Sequence, residues 1–454
     1  MQCSRNSIHV SSEGRVERRD LIVRTAALAA AGTAAIYVVW RMRRRPPTSS
    51  GAAPLLTSHT VAEYVSDQLR GMQDLPLDPD AALVAREIGD GNLNYAWCVA
   101  EEADSSRAIF VKQAPPFIKC LGDKFGLSAE RLLIESEVLA EYTAVAPGLV
   151  PRIYSRDAEG CAMITEFLHG HELMRTALRA GRCPPSAARH VARFMAMTHA
   201  RTHARASGAS GGARWAHLVN ESMCAITADF VFSKPLDAAD GTNRCSDEAA
   251  AAAAALRADT ELVAAVERLR TIFLTRKECL VHGDLHTGSV MVPAAGGDGP
   301  ARVIDAEFAH FGCAAFDVGC FVANLLFARA SAESAAGKAA LEQMMREVWQ
   351  TYVATLREAQ PRILADPASL EELCDLVAGF CGVELIRRTI GAAHVDDIES
   401  IPSPARRGVA ERACLFVGEL LVREGGKGLR GGRLLAQEFE AIIAISTIGI
   451  DGQA

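Results

Sequence analysis

Strand-like and helical patterns are unevenly distributed along this 454-residue chain, and this asymmetry limits its fold more than any other feature. The first third contains one helical pattern at 129–142 and several short apolar segments of strand type, which are 82–88, 93–99, 108–111, 152–154 and 161–166. From about residue 173 onward helical periodicity dominates, interrupted by one β-rich block at 280–305. We therefore predict an α+β fold of two lobes, with a β-rich N-lobe containing one main helix and a larger, mostly helical C-lobe. Such a layout suits a ligand held in the cleft between the lobes.

The predicted boundaries divide the chain into three parts. Residues 1–57 form an extension that ends in a linker rich in Pro, Ser and Gly, residues 58–168 form the N-lobe, and residues 169–454 form the C-lobe. Within the extension, the uncharged segment 25–40 has 16 residues between basic flanks, fewer than the roughly 20 that a membrane-spanning helix needs. Three interpretations stay open: weak membrane association through residues 21–45, an organelle-targeting segment, or an extension without function. We expect the folded part to be cytoplasmic.

The charge and the cysteines exclude several classes of protein. The first 50 residues carry nine Arg against three acidic residues, so the remaining chain is acidic although the net charge of the whole is only −7. Nucleic-acid binding requires a basic face on the folded part, and we therefore expect no nucleic-acid partner. The 13 cysteines are scattered singly, without metal-ligand spacing, which indicates reduced thiols in an intracellular protein.

Two segments of the β-rich block end in carboxylates. LVHGDLHTGSV at 280–290 and VIDAEF at 303–308 each lead from apolar residues into a polar cluster. Phosphoryl transfer needs one carboxylate to orient the attacking hydroxyl and accept its proton, and a second to hold Mg²⁺ against the nucleotide phosphates. Asp284 fits the first role, and Asp305 with Glu307 fits the second. Taken alone, the H-G-D motif could equally be a turn whose polar groups satisfy the backbone.

A lysine on an earlier strand complements these carboxylates. Lys112 lies in a strand-like run, 21 residues after Gly91 in the turn GDGNLN at 89–94. A lysine beneath a turn of small residues can reach nucleotide phosphates, and the glycine lets backbone N–H groups approach them. By itself the turn is more typical of an ordinary hairpin, and it gains weight only from its distance to Lys112.

An acidic residue on the helix at 129–142 is expected to fix Lys112 by an ion pair. We favour Glu135 as the partner of Lys112 in this ion pair. Glu130 and Glu137 are competitors, because they share one helix face whereas Glu135 points elsewhere.

Together these residues resemble those of the 5-methylthioribose kinase family, in the aminoglycoside-phosphotransferase and choline-kinase branch of the protein-kinase-like fold. Ser289 stands where related small-molecule kinases commonly have a metal-binding Asn, and Asp305-x-Glu307 stands where they usually read D-x-D. Both departures, and the pair Arg387-Arg388, are similar to methylthioribose kinases. The matching segments are EIGDGNLNYAW (87–97), VKQAPPFIKCLGD (111–123), HGDLHTGSV (282–290), VIDAEFAHFG with FDVG (303–312 and 316–319), and ELIRRTIGAAHVDDIESI (384–401).

The resemblance implies ATP-dependent phosphorylation of the anomeric hydroxyl of 5-methylthioribose in methionine salvage, by a homodimer. It implies that Asp284 orients and deprotonates the sugar hydroxyl and that Asp305 and Glu307 coordinate Mg²⁺. Lys112 and Asn94 would contact the nucleotide phosphates. The residues implied to hold the adenine at the hinge between the lobes are Thr165, Glu166 and Phe167.

Arg387 and Arg388 are candidate substrate-binding residues, although a surface position is the usual place for arginine. Their apolar surroundings favour a partly buried role in neutralising charge on the transferring phosphoryl group. Because adjacent helical residues point about 100° apart, we expect only one of them to reach the site. Asp317 is expected to support the catalytic loop through hydrogen bonds.

Three functional hypotheses remain after these considerations. The chain is a methylthioribose kinase, a kinase of the same branch with another small hydroxylated substrate, or a catalytically silent scaffold. The presence of Lys112, Asp284, Asp305 and Glu307 counts against the scaffold. The details around Ser289 and the arginine pair count against a different substrate.

Overall fold

The computed structural model describes residues 54–89, 93–182, 186–206, 214–295, 297 and 299–425. Within them a sheet-bearing N-lobe precedes a mostly helical C-lobe, and the predicted α+β two-lobed fold is confirmed. The hydrophobic segment 25–40 and Gly91 of the predicted phosphate-covering turn lie outside the described residues.

The N-lobe is built on a five-stranded antiparallel sheet of order β1-β2-β3-β7-β6. A short two-stranded ribbon, β4 with β5, and helix α2 lie between β3 and β6 along the chain. The elements are α1 (Val61–Leu69), β1 (Leu83–Glu87), β2 (Tyr95–Glu101), β3 (Ala108–Gln113), β4 (Phe117–Ile118), β5 (Gly122–Gly126), α2 (Glu130–Val145), β6 (Ile153–Asp157) and β7 (Ala162–Glu166).

Side-chain alternation on β3 gives the sheet one apolar face and one face toward the cleft. Ile109 and Val111 are fully buried in a cluster that also contains Val61 and Val65, two residues one helical turn apart on α1. Because successive side chains of a strand point to opposite faces, Lys112 points away from this cluster. The packing of α1 thus determines which side of the sheet presents the lysine.

The C-lobe begins with a short strand and continues through ten α-helices among the described residues, together with a π-helical turn at Ala228–Ser233. Its elements are β8 (His171–Leu173), α3 (Met174–Arg179), α4 (Ala187–Thr202), α5 (Glu221–Thr227), α6 (Asp247–Ala258), α7 (Thr260–Thr275), β9 (Cys279–Val281), β10 (Val290–Pro293), β11 (Arg302–Val303), β12 (His310–Gly312), α8 (Ala314–Ser331), α9 (Ala335–Ala359), α10 (Pro367–Ile390), α11 (Asp396–Glu399) and α12 (Pro404–Gly425).

Short strand pairs bring the two carboxylate-bearing loops together. β9 pairs antiparallel with β12, and β10 pairs with both β11 and β8. The loop at 282–289 runs from the β9–β12 pair to β10, and the loop at 304–309 runs from β11, the neighbour of β10, back to β12. The two loops therefore connect the same two small sheets and lie side by side. This pairing places the predicted catalytic and metal-binding carboxylates at one edge of the cleft.

Helix α8 forms the centre of the C-lobe. In the described part of the chain it is the one helix long and apolar enough to cross a membrane, and 89% of it is buried inside the protein. Its burial is that of the core helix of a globular lobe, packed against α9, α10 and α12.

Two glycines allow α10 and α12 to approach closely. A Cβ on Gly382 would lie 2.5 Å from the backbone oxygen of Gly418, and a Cβ on Gly418 would lie 2.9 Å from the backbone oxygen of Gly382. Neither distance can accommodate a side chain without a backbone shift, so the glycines set the spacing of the two helices.

We predict that Gly382→Ala lowers the free energy of unfolding by about 1–3 kcal/mol, because overpacking outweighs the gain in helix propensity. Chemical denaturation measures the effect. Gly241→Ala is the control, since a Cβ at Gly241 has no atom within 4 Å. A Gly382→Ala protein as stable as the wild type would contradict the close helix approach.

Candidate active site

Lys112 lies at the centre of the cleft and joins the two lobes. Its Nζ donates hydrogen bonds to both carboxylate oxygens of Glu135, at 2.9 and 2.7 Å, and to Oδ1 of Asp305 at 2.5 Å. Of the three acidic residues considered on α2, the structure thus brings Glu135 to the lysine. Glu130 lies at the start of the helix beside Ser128, and the Glu137 side chain is 40% exposed.

The charge of Lys112 depends on these two carboxylates. Burial opposes the charged form, but Asp305 and Glu135 outweigh it and raise the pKa of Lys112 well above its ordinary value. Lys112 is therefore a permanent cation in the cleft. Burial likewise raises the pKa of Glu135, against the attraction of the lysine.

Three carboxylates around the lysine form a candidate cation site. Ligand atoms of Glu135, Asp305 and Glu307 all lie within 4.8 Å of one another. Burial, together with repulsion from Asp305 and Glu135, raises the pKa of Glu307 to about 8 against the attraction of Lys112. A divalent cation would relieve this repulsion, and carboxylate oxygens are the ligands that Mg²⁺ prefers. Lys112 binds both carboxylate oxygens of Glu135 but only Oδ1 of Asp305, so Asp305 and Glu307 fit the role of metal ligands better than Glu135 does.

Asn94 and Arg131 bind the other side of Glu307. Asn94 Nδ2 donates to Glu307 Oε2 at 2.6 Å, and its Oδ1 accepts from Arg131 Nε at 3.1 Å. Arg131 is almost fully buried and also donates to the backbone oxygens of Leu93 and Ser128. Asn94 is thus placed against a candidate metal ligand, and its predicted contact with phosphate stays a prediction.

The loop that carries Asp284 is held by Asp317. Oδ2 of Asp317 accepts from the backbone N–H of His282 at 2.7 Å, and Oδ1 accepts from that of Gly283 at 2.9 Å. Gly283 has a φ of 82°, and a Cβ there would lie 2.2 Å from the backbone oxygen of Phe308. The loop therefore requires glycine here for both conformation and space. This is the supporting role predicted for Asp317.

Both arginines of the predicted pair face Asp284, and the expectation that only one reaches the site is wrong. A terminal nitrogen of each, Arg387 and Arg388, lies 3.8 Å from Asp284 Oδ1. The cause is Glu384, which accepts from Arg387 Nε at 2.6 Å and from Arg388 Nε at 3.0 Å. Residues three and four positions apart share a helix face, so one carboxylate draws both guanidinium groups to the same side of α10.

Asp284 stays ionised in this setting. Burial opposes its charge, but the His286 ring and the guanidinium groups of Arg388 and Arg387 outweigh burial and hold the pKa of Asp284 well below its usual range. Burial lowers the pKa of His286, so the imidazole itself is neutral near pH 7. We therefore assign the main stabilising charge to the two arginines.

The predicted hinge residues lie at the end of β7, which is the last N-lobe strand along the chain. Thr165 is buried in β7 opposite Phe110, and Glu166 ends that strand. The Glu166 carboxylate accepts from the backbone N–H of Arg152 at 3.1 Å, and it lies 3.5 Å from the Arg302 side chain. The chain then enters the C-lobe at β8.

Some residues of the cleft were not predicted from the sequence. Arg131 lies one helical turn before Glu135, and that i,i+4 spacing is a signal that could have identified it. Asn220, which donates to the backbone oxygens of Glu307 and Ala309 at 2.9 Å each, gives no comparable signal, because these partners are distant along the chain.

The cleft thus contains two functional groups of residues. The ionised carboxylate of Asp284 faces two arginines, and the carboxylates of Asp305 and Glu307, close to Lys112, are suited to a divalent cation. This arrangement can orient a hydroxyl at Asp284 while positive groups attract an anionic substrate from both sides. The charges fit the transfer of an anionic group to a hydroxyl.

The family model and the curated relatives agree with this chemistry. The model of the phosphotransferase enzyme family matches residues 84–354. The chain is 35% identical over 352 residues to a methylthioribose kinase of Bacillus pumilus, covering 75% of this chain and 87% of that protein. A methylthioribose kinase of Yersinia pseudotuberculosis is 34% identical over 362 residues, covering 76% and 88% respectively. The solved choline kinase of Cryptosporidium parvum has a TM-score of 0.46 and 12% identity, covering 82% of this chain and 98% of that one.

We predict that Asp317→Asn lowers the free energy of unfolding by about 3 kcal/mol, because a buried acceptor of two backbone N–H groups loses its charge. Burial opposes ionisation of Asp317, but its contacts with His199 and the His282 backbone keep the pKa of Asp317 below its ordinary value. Its contribution is therefore fully present above the unfolded pKa of about 3.9 and disappears only as the pH falls through the folded pKa.

Denaturant titrations at pH 5 and pH 8 measure this difference, which should be the same at both values. Asp80→Asn, at a side chain 72% exposed, is the control and should leave stability unchanged. A wild-type advantage that shrinks at pH 5 would show that Asp317 is not held ionised.

Proposed function

This chain belongs to the methylthioribose kinase family of phosphotransferases, and we propose that it transfers the terminal phosphoryl group of ATP to the anomeric hydroxyl of 5-methylthioribose. The product would be the 1-phosphate, formed in methionine salvage. The observation that carries this proposal is the position of Asp284, an ionised carboxylate with two arginines 3.8 Å away on one side of a cleft lined by Lys112, Asp305 and Glu307.

In this proposal Asp284 orients the sugar hydroxyl and accepts its proton. A carboxylate with a lowered pKa is a weak base, which is sufficient because phosphoryl transfer depends mainly on positioning and on stabilisation of charge. Arg387 and Arg388 neutralise negative charge on the transferring group. Their shared partner Glu384 keeps them in place without bound substrate.

The N-lobe holds the nucleotide in this proposal. Lys112 contacts its phosphates, and Asp305 with Glu307 would hold Mg²⁺. A bound Mg²⁺ neutralises phosphate charge and orients the terminal phosphoryl group. The remaining nucleotide contacts proposed for this lobe come from Gly91, Asn94, Glu135 through Lys112, Thr165, Glu166 and Phe167.

Two further properties are part of the proposal. The family resemblance implies a homodimer, and the predicted domain boundaries place nucleotide binding in residues 58–168 and catalysis in residues 169–454. We expect the folded part to act in the cytoplasm. The role of the extension, including weak membrane association through residues 21–45, stays open.

We predict that Asp284→Asn lowers kcat for 5-methylthioribose phosphorylation by about 10²–10⁴-fold, because the amide cannot accept the hydroxyl proton. Release of ADP in the presence of Mg²⁺ measures the rate. Asp67→Asn, at a side chain 63% exposed on α1, is the control and should retain full activity. Wild-type turnover combined with full activity of Asp284→Asn would exclude the role given to Asp284.

We also predict that Glu307→Gln raises the Mg²⁺ concentration for half-maximal activity by about tenfold or more, because a charged ligand is replaced by a neutral one. Titration of MgCl₂ at fixed ATP measures it. Glu137→Gln, outside the cleft, should leave the titration unchanged. An unchanged titration for Glu307→Gln would remove Glu307 from the metal site.

A further inference from the structure

Arg175, at the start of α3, contacts the catalytic loop, which is the segment 282–289 that carries Asp284. Its terminal NH2 nitrogen lies 3.5 Å from Nδ1 of His286 and 3.3 Å from Oδ1 of Asn324. Its backbone N–H donates to the backbone oxygen of Thr287 at 3.0 Å. Both the main chain and the side chain of Arg175 therefore contact the loop that carries Asp284.

A buried carboxylate on α11 holds the guanidinium of Arg175. Oδ2 of Asp397 lies 3.4 Å from Arg175 Nε, and the Asp397 side chain has no exposed surface. Among the described residues neither carboxylate oxygen of Asp397 has a hydrogen-bond partner, and Arg175 is its main compensating charge, with a smaller attraction from Arg179. Burial raises the pKa of Asp397 to about 6 against the attraction of Arg175, which leaves the pair charged at pH 8. Leaving either charge unpaired in this position would be costly.

The contacts of the His286 ring determine where its proton lies. Nδ1 accepts the backbone N–H of Gly288 at 2.9 Å and faces the Arg175 guanidinium, which carries only donors. Nδ1 therefore has no proton, and the neutral ring must carry its proton on Nε2. Nε2 is the atom that faces Asp284, 3.5 Å from Oδ2. Catalytic hydrogen bonds of this kind are often long without substrate.

Gly288 provides the space for this contact. A Cβ on Gly288 would lie 2.9 Å from Nδ1 of His286 and 3.2 Å from Cζ of Arg175. The close approach of the ring and the guanidinium thus depends on the absence of a side chain at this position.

A second route leads from Arg175 to the same carboxylate. Asn324 accepts from Arg175 through Oδ1, and its Nδ2 lies 3.5 Å from Oε1 of Glu384, the residue that orients Arg387 and Arg388. The amide orientation of Asn324 follows from having a donor on one side and an acceptor on the other. Arg175 therefore contacts the His286 ring directly and is connected to Arg387 and Arg388 through Asn324 and Glu384.

We propose that Arg175, anchored by Asp397, is a positioning residue that fixes the His286 ring with Nδ1 unprotonated and Nε2–H directed at the catalytic Asp284. The donated hydrogen bond holds Oδ2 of Asp284, which leaves Oδ1, 3.8 Å from each of the two arginines, to accept from the acceptor hydroxyl. The kinetic part of this inference rests on the proposed phosphoryl transfer, and the placement of the proton does not.

The kinetic experiment compares two pairs of neighbouring residues. Arg175→Gln and Asp397→Asn should each lower kcat by about 10- to 100-fold, as is typical when the partner that orients a functional group is lost. The KM for ATP should stay unchanged, because Lys112 and its carboxylates are separate from this network. Arg179→Gln and Asp396→Asn are the controls. Arg179 lies one helical turn after Arg175, Asp396 lies one residue before Asp397, and their exposed side chains form an ion pair of 3.9 Å.

A double-mutant cycle separates positioning from general support of the fold. If Arg175 acts mainly through His286, then Arg175→Gln should lower kcat much less in a His286→Gln protein than in the wild type, and the remaining loss would measure the route through Asn324 and Glu384. Additive losses, or a wild-type kcat in Arg175→Gln, would overturn the proposal. Thermal melts of each variant identify any loss that results from unfolding.

The proton position is tested without turnover by ¹⁵N NMR of histidine-labelled wild-type protein, with His286→Gln to assign the signal. We expect the Nδ1 shift in the unprotonated range and the Nε2 shift in the protonated range. A protonated Nδ1 would overturn the inference even if the chain is an active kinase. Conversely, a wild-type protein that does not phosphorylate 5-methylthioribose would refute the proposed function and leave this result intact.

Discussion

The contact of Lys112 with two carboxylates from opposite lobes is the interaction on which the cleft depends. Glu135 comes from the N-lobe helix and Asp305 from the loop between C-lobe strands, and both reach the same ammonium group. Without the lysine, the carboxylates of Glu135, Asp305 and Glu307 would face one another in a largely buried space, and their repulsion would oppose closure of the lobes. The same ammonium that balances these charges is the group available to nucleotide phosphates.

The catalytic loop is arranged by a different principle, the satisfaction of buried polar groups. Asp317 accepts two backbone N–H groups of the loop, and Glu384 fixes both arginines that face Asp284. Each of these acids is buried and has a specific partner, so the geometry around Asp284 exists before any substrate binds. Such preorganisation is what electrostatic stabilisation of a transferring phosphoryl group requires.

The sequence was sufficient to predict the two lobes, because strand-like and helical periodicity separate cleanly along it. It also favoured Glu135 as the partner of Lys112, but the apolar residues of α2 did not exclude Glu130 and Glu137, and the hydrogen bonds of the structure decide between them. It could not predict that both arginines face Asp284. This arrangement depends on Glu384, which accepts hydrogen bonds from Arg387 three residues later and from Arg388 four residues later. Nor did it reveal Arg175 with Asp397, because an ion pair between residues so far apart in sequence arises only when α3 and α11 both pack against α8.

The central claim is that this cleft phosphorylates the anomeric hydroxyl of 5-methylthioribose, and ³¹P NMR of the reaction product tests it most directly. The full chain, incubated with ATP, Mg²⁺ and 5-methylthioribose, should produce ADP and a sugar 1-phosphate, with no product from choline or an aminoglycoside. Phosphorylation of choline or an aminoglycoside without phosphorylation of 5-methylthioribose would contradict the account. The same would follow if none of the three acceptors were phosphorylated by the folded protein.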